Sequence, residues 1–214
     1  HLNVKIGGTH AGITVGEDGA THQCNEDVAL MRTIPGMTVI VPADDVEAKA
    51  AVRAAIEKEG PVYLRFGRAA VPVINDRPDY KFEIGKGVLL KEGNDVTIVA
   101  SGITVASALE AAEMLAADGI SAEVINIHTI KPLDKDLIIA SAKKTGKVVT
   151  AEEHSIIGGL GSAVCDCLSE NHPTPVMKIG MQDVFGESGT AAALVEKYGL
   201  DGKGIYAKVK EFVS

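Results

Sequence analysis

Apolar positions alternate between two periods along this chain, and the alternation predicts its elements. The run "LNVKIGG" (2–8) is a short apolar strand ending in glycines. A long polar loop follows. "NEDVALMRTI" (25–34) has helical spacing, with Asn25 as N-cap and acids in the first turn. "MTVIVP" (37–42) is a continuous apolar strand. "DDVEAKAAVRAAIEKE" (44–59) opens like a capping box, with Asp44 three residues before Glu47, and its apolar face is Ala48, Ala51, Val52 and Ala55. "PVYLRFG" (61–67) closes this first unit as a strand. Periodicity is lost over 68–82, where Pro72, Pro78 and an Asn-Asp pair sit among charges, and this stretch is predicted to be a linker.

The second unit repeats strand and helix more regularly. Strands are expected at 85–93, 95–101, 122–127, 147–153 and 175–181. Helices are expected at 104–119, 134–146 and 159–171, and a helical region ends the chain. The helix at 104–119 shows Val105, Ala108, Leu109, Ala112 and Leu115 on one face, with Gly119 at its end. Strands alternating with helices imply right-handed crossovers. The fold class is therefore α/β: two consecutive units of mostly parallel sheet flanked by helices, residues 1–67 and 83–214, joined by the linker 68–82.

Composition sharpens this picture. Of 214 residues, 46% are hydrophobic but only 4% aromatic, and Trp is absent, so the core is built from Ala, Val, Ile and Leu. Lys and Arg number 21 against 29 Asp and Glu, a net charge of −8. That balance argues against nucleic acid or an anionic membrane as partner, while leaving room for small anions held by a local cation. No apolar run is long enough to span a bilayer and no signal peptide is visible. The expected location is cytoplasmic, with Cys24, Cys165 and Cys167 reduced. Cys165 and Cys167 are expected to be small buried side chains, because residues two apart on a helix diverge and do not share a metal. The chain opens on His1 rather than Met, which suggests that residue 1 is not a natural start.

Chemistry concentrates in "GGTHAGITVGEDGATHQCNED" (7–27). Glycine at this density lowers stability unless the backbone turns sharply or approaches a ligand. His10 and His22 flank Glu17 and Asp18 at the carboxyl end of a strand, where open α/β sheets bind ligands. Imidazole titrates near neutrality and moves protons. Arg68, at the end of a later strand, is a fixed cation suited to phosphate. Two readings stay open on physical grounds: a polyol or sugar-phosphate site, or a satisfied surface loop with capping acids. A second glycine-rich stretch, "HSIIGGLGSA" (154–163), lies between strand and helix. It lacks the full dinucleotide fingerprint and any nearby base, so close packing of strand on helix is favoured over a phosphate cradle, and His154 is expected to be structural or at an interface.

"THAGITVGEDGATHQ" with "EDVALMRTIPGMTVIVPADDVEA" resembles the pyrimidine-binding domain of transketolase, and "AEEHSIIGGLGSAV" with "DVFGESGT" resembles the C-terminal domain of the same family. The resemblance covers essentially the whole chain. It implies transfer of a two-carbon ketol unit between sugar phosphates with thiamine diphosphate and a divalent metal such as Mg. By the family pattern His10 and His22 are catalytic, lining the substrate channel and handling hydroxyl and proton transfers. Asp18 recognises a substrate hydroxyl and Arg68 grips the substrate phosphate, with Arg65 a weaker candidate. The second unit is expected to brace the pyrimidine domain and a homodimer. The family's cofactor-activating glutamate and its diphosphate-binding domain have no counterpart in these residues. Cofactor and metal are accordingly not expected to bind this chain alone, and an N-terminal diphosphate-binding domain or subunit is the implied partner. A 1-deoxy-xylulose-5-phosphate synthase shares the domain order, and a non-catalytic interaction module with the same fold is the remaining alternative.

Overall fold

A computed structural model describes residues 2–214. The fold is α/β, with mostly parallel sheets flanked by helices. In the first unit β1 (Lys5–Gly8) leads into a 3-10 turn (Ile13–Asp18), then α1 (Asp27–Thr33), β2 (Thr38–Ile40), α2 (Asp45–Glu57) and β3 (Val62–Arg65). The second unit runs β4 (Val88–Lys91), β5 (Val96–Ala100), α3 (Thr104–Ala117), β6 (Ala122–Asn126), β7 (Thr129–Lys131), α4 (Lys135–Thr145), β8 (Val148–Ser155), α5 (Leu160–Asn171), β9 (Val176–Met181), α6 (Ala191–Lys197) and α7 (Gly202–Val213). Among the described residues no helix is long and apolar enough to cross a membrane.

The five-stranded sheet has the order β4-β6-β5-β8-β9, parallel except at the β4 edge. β5 and β6 are buried along their whole length, because helices cover both faces. α3 buries Val105, Ala108, Ala112 and Leu115 completely against this sheet and against Ile205 and Val209 of α7. Its alanines let the helix sit close, and each fully buried Leu or Ile contributes about 2 kcal/mol. Asp134 caps α4 through the Leu137 amide, and Gly146 ends that helix in the left-handed conformation.

The four-stranded sheet has the order β1-β3-β2-β7. Its first three strands are parallel, and β7 joins antiparallel through Val39–Lys131 and Ile40–Thr129. β7 belongs to the second unit in sequence and completes the sheet of the first. The apolar pattern does not signal it, because three residues show no period. The linker 68–82 carries neither helix nor strand, yet it is anchored. Asp44 Oδ2 accepts the Ile74 and Asn75 amides at 2.8 and 2.7 Å, and the Tyr80 hydroxyl donates to Glu47 Oε1 at 2.6 Å.

Two local expectations change. α1 is capped at Glu26 without a side-chain hydrogen bond; Asn25 lies outside the helix and its carbonyl accepts from the Ser155 amide. Asp44 does cap α2 through the Glu47 amide, and the Glu47 carboxylate reaches back to the Ala43 amide. The buried face of α2 is Glu47, Ala51 and Ala55, while Val52 is exposed.

Candidate functional site

The loop after β1 folds so that one side is sealed and the other is open. Gly8 lies against the Tyr63 ring, where a Cβ would stand 2.5 Å from the phenol oxygen. Gly12 has φ +78° and pairs with Cys24, which draws the two ends of the loop together. Ala11, Ile13, Thr14 and Val15 are buried beneath it. His10, Glu17, Asp18 and His22 face out. His10 has φ +61°, a left-handed conformation uncommon for a residue with a Cβ and frequent where function over-determines the backbone.

Asp18 and Arg68 meet directly. Arg68 Nη1 lies 3.3 Å from Asp18 Oδ2 and donates to the Val15 carbonyl at 2.6 Å. The two side chains are about half exposed, so the pair is open to a ligand. His10 Nδ1 and His22 Nδ1 each lie 3.0 Å from the hydroxyl of the preceding threonine, Thr9 and Thr21. Among the described residues no hydrogen bond or ion pair joins either imidazole to the Asp18–Arg68 pair. The fold thus brings two of the four predicted groups into contact and sets the two imidazoles on the same loop.

Arg65 does not share this face. Its guanidinium is buried: Nε lies 2.8 Å from Asp27 Oδ2, and Nη2 donates to the Cys24 and Glu153 carbonyls at 3.3 and 2.8 Å. With Nε and Nη2 engaged and the side chain buried, Arg65 is not placed to meet a phosphate at the open face. Tyr63 also donates to Asp27 Oδ2, at 2.7 Å. Burial pushes the Asp27 carboxyl up, but Arg65 and the Tyr63 hydroxyl outweigh it and hold the group below its ordinary value.

The carboxylates of β8 extend this buried network. Glu153 Oε1 accepts the Thr14 amide at 2.7 Å, tying the second unit to the opening loop. Glu152 accepts the Leu160 and Gly161 amides at 2.7 and 2.8 Å. A side-chain carboxylate thus fills the place at the start of α5 where a phosphate would sit, and burial pushes it up to about 7. Gly159 packs against Glu152 and His154, so the glycines of 154–163 serve close packing. His154 is buried, with Nδ1 at 2.7 Å from the Ser155 carbonyl and Nε2 at 4.0 Å from Asp27 Oδ1. Burial, then Arg65, holds its imidazole below the usual range. The sequence offered one signal for this network: two acids and a histidine continuing an otherwise apolar strand.

The segment 185–189 closes over the loop from the other side. Gln23 Nε2 donates to the Glu187 and Ile13 carbonyls at 2.8 and 3.2 Å. Gly186 lies against the Gln23 amide, and Gly19 against the Ser188 hydroxyl. A nearby depression of about 380 Å3, at the carboxyl ends of β2 and β3, is lined mainly by apolar residues such as Pro42, Phe66, Val71 and Ile103. None of the four predicted groups lines it. Cys24, Cys165 and Cys167 are free thiols; Cys167 is buried and the other two are half-buried.

Comparison with known proteins found two family models that match one after the other along the chain. Residues 1–73 match the transketolase pyrimidine binding domain and residues 85–205 the transketolase C-terminal domain. The chain is 50% identical over 210 residues to the 6-deoxy-6-sulfo-D-fructose transketolase subunit SqwH of Clostridium sp. (strain MSTE9), covering 98% of this chain and 65% of that protein. It is 42% identical over 199 residues to the 1-deoxy-D-xylulose-5-phosphate synthase of Heliobacterium modesticaldum (strain ATCC 51547 / Ice1), covering 92% of this chain but 31% of the synthase. A solved structure described as a split gene transketolase, inactive beta4 tetramer, superposes with a TM-score of 0.91 at 57% identity, over 98% of this chain and 67% of that one. The chain thus spans about two thirds of its transketolase-subunit relative. Both family models together account for nearly every residue described above, and the chain belongs to the transketolase family.

Proposed function

We propose that this chain forms part of a split transketolase, acting with a chain or domain that holds the cofactor diphosphate to move a two-carbon ketol unit between sugar phosphates. The observation that carries the reading is the exposed Asp18–Arg68 pair on a glycine-rich loop at the carboxyl end of a strand. Arg68 supplies a planar guanidinium for a phosphate. Asp18 accepts from a sugar hydroxyl, and the Val15 carbonyl keeps the guanidinium in place between ligands. His10 and His22 contribute imidazoles for hydroxyl contacts and proton transfers at the same mouth. Both stay close to a threonine hydroxyl that fixes their rings.

Thiamine diphosphate with a divalent metal supplies the carbanion chemistry in this family. Among the described residues no group of three or more His, Cys, Asp or Glu side chains lies together so as to hold a metal ion, and this reading leaves the metal and the cofactor diphosphate to the partner. A diphosphate-binding partner, a cytoplasmic setting, pentose phosphates as substrates and a dimeric assembly complete the proposal.

The test mixes this chain with its diphosphate-binding partner, thiamine diphosphate and Mg. The assembled protein is assayed with a ketose phosphate plus an aldose phosphate, and separately with pyruvate plus glyceraldehyde phosphate. Ketol transfer in the first assay supports the reading. Activity confined to the second assigns the chain to the synthase branch, and assembly without either activity marks a non-catalytic module.

A further inference from the structure

Among the described residues, Glu153 supplies the one hydrogen bond from a charged side chain of the second unit to the turn 13–18. Its carboxylate is buried, and its Oε1 accepts the Thr14 amide at 2.7 Å. The Ile13 amide also faces it, and Gly12 is backed directly against it: a Cβ at residue 12 would fall 2.3 Å from the Glu153 carboxyl carbon. Gly12 already needs φ +78°, so the backbone bends to admit the carboxylate. Arg65 Nη2 donates to the carbonyl of the same glutamate at 2.8 Å, which locks the acid in place from behind.

The turn so held is the one that organises the exposed pair. Val15, next to Thr14, offers the carbonyl that receives Arg68 Nη1, and Asp18 ends the turn and faces the same nitrogen at 3.3 Å. A continuous path therefore runs from Glu153 through the Thr14 amide and the Val15 carbonyl to Arg68. We propose that Glu153 is a positioning residue for phosphate recognition, presetting the guanidinium of Arg68 from the second unit. This rests on the ketol-transfer reading for its ligand and on the contacts above for its mechanism. A preset cation does not have to be ordered when phosphate arrives, so the carboxylate acts on affinity for the phosphorylated substrate rather than on the chemical step.

The experiment compares Glu153→Ala, Glu153→Gln and the control Asp134→Ala, which removes a helix cap in the second unit, in the assembled enzyme. KM and kcat are measured with an aldose phosphate and with the same aldose lacking its phosphate. Glu153→Ala is expected to raise KM for the phosphorylated sugar about 10-fold while kcat/KM for the plain sugar stays within about 2-fold. Glu153→Gln keeps an acceptor oxygen for the Thr14 amide and is expected to remain within about 3-fold of the parent. Asp134→Ala lowers stability without separating the two sugars. Equal shifts for both sugars, or no shift, overturn the proposal. Hydrogen exchange of amides 12–18 is followed in the same variants, with acceleration of about 10-fold expected only for Glu153→Ala. If the parent assembly transfers no ketol unit, the ketol-transfer reading fails alone. The exchange result then decides the positioning role: unchanged protection in Glu153→Ala overturns it, and lost protection supports it.

Discussion

Arg65 and Arg68 stand three positions apart and live in opposite worlds. Arg65 is buried at the junction of the two units, with Asp27 and the carbonyls of Cys24 and Glu153 receiving its Nε and Nη2 donors. Arg68 sits on the open side of the loop with one carbonyl and one half-exposed acid for company. A buried charge persists only with matched partners, so it has little left for a ligand. An exposed charge keeps its solvent-facing donors and can exchange water for phosphate. The contrast separates groups that build the site from groups that use it.

The largest expected effect breaks the buried side. Arg65→Leu leaves Asp27 uncompensated and is expected to cost about 3–5 kcal/mol of stability. Urea denaturation of the chain measures it; a loss under about 1 kcal/mol would show that the junction tolerates a lone carboxylate. Arg68→Ala probes the other side. It is expected to change stability by no more than about 0.5 kcal/mol and to weaken sugar-phosphate binding by the assembled protein about 10- to 100-fold, the range for one charge-assisted contact, as read by calorimetry. Equal losses of fold and affinity at both arginines would erase the distinction.

A pH experiment sharpens it. His128 is fully buried and stacks on Phe82 with ring centroids 4.3 Å apart; burial takes its imidazole from 6.5 down to about 4. The folded value lies below the unfolded one, so the unfolded chain binds the extra proton first. The stability this gives is present above about pH 6.5 and is lost as pH falls toward 4. Between pH 7 and 5 it accounts for a fall of about 1–2 kcal/mol, and His128→Gln is expected to flatten that slope. The smallest effect belongs to His22→Ala. Among the described residues its exposed ring has one hydrogen-bond partner, the Thr21 hydroxyl, so thermal stability is expected to stay within about 0.5 kcal/mol while transfer activity of the assembled enzyme falls.

What could be read from the sequence followed how local each cause was. The Asp44 cap, the face of α3 and the glycines ending α3 and α4 depend on neighbours a few residues away, and all are present in the structure. The cap of α1 was misplaced because the choice between Asn25 and Glu26 depends on backbone angles set by the Ser155 contact, remote in sequence. Asp18 and Arg68 were legible as a loop acid and a strand-end cation of one unit, while their direct contact comes from the fold. The burial of Arg65 was not legible, because its partners come from α1, the loop before it and β8 and meet only after the two sheets pack. β7 escaped for the same reason: its pairing with β2 is a long-range event that no three-residue pattern announces.

That grafted strand bears on how the molecule would come apart. A protease that nicks the strap between the units releases no free half, since the first sheet still holds a ribbon donated by its neighbour. Divided there by design, the front piece would show a raw edge along Thr38–Ile40 and invite foreign strands onto it. The two halves are therefore expected to melt together, in one transition.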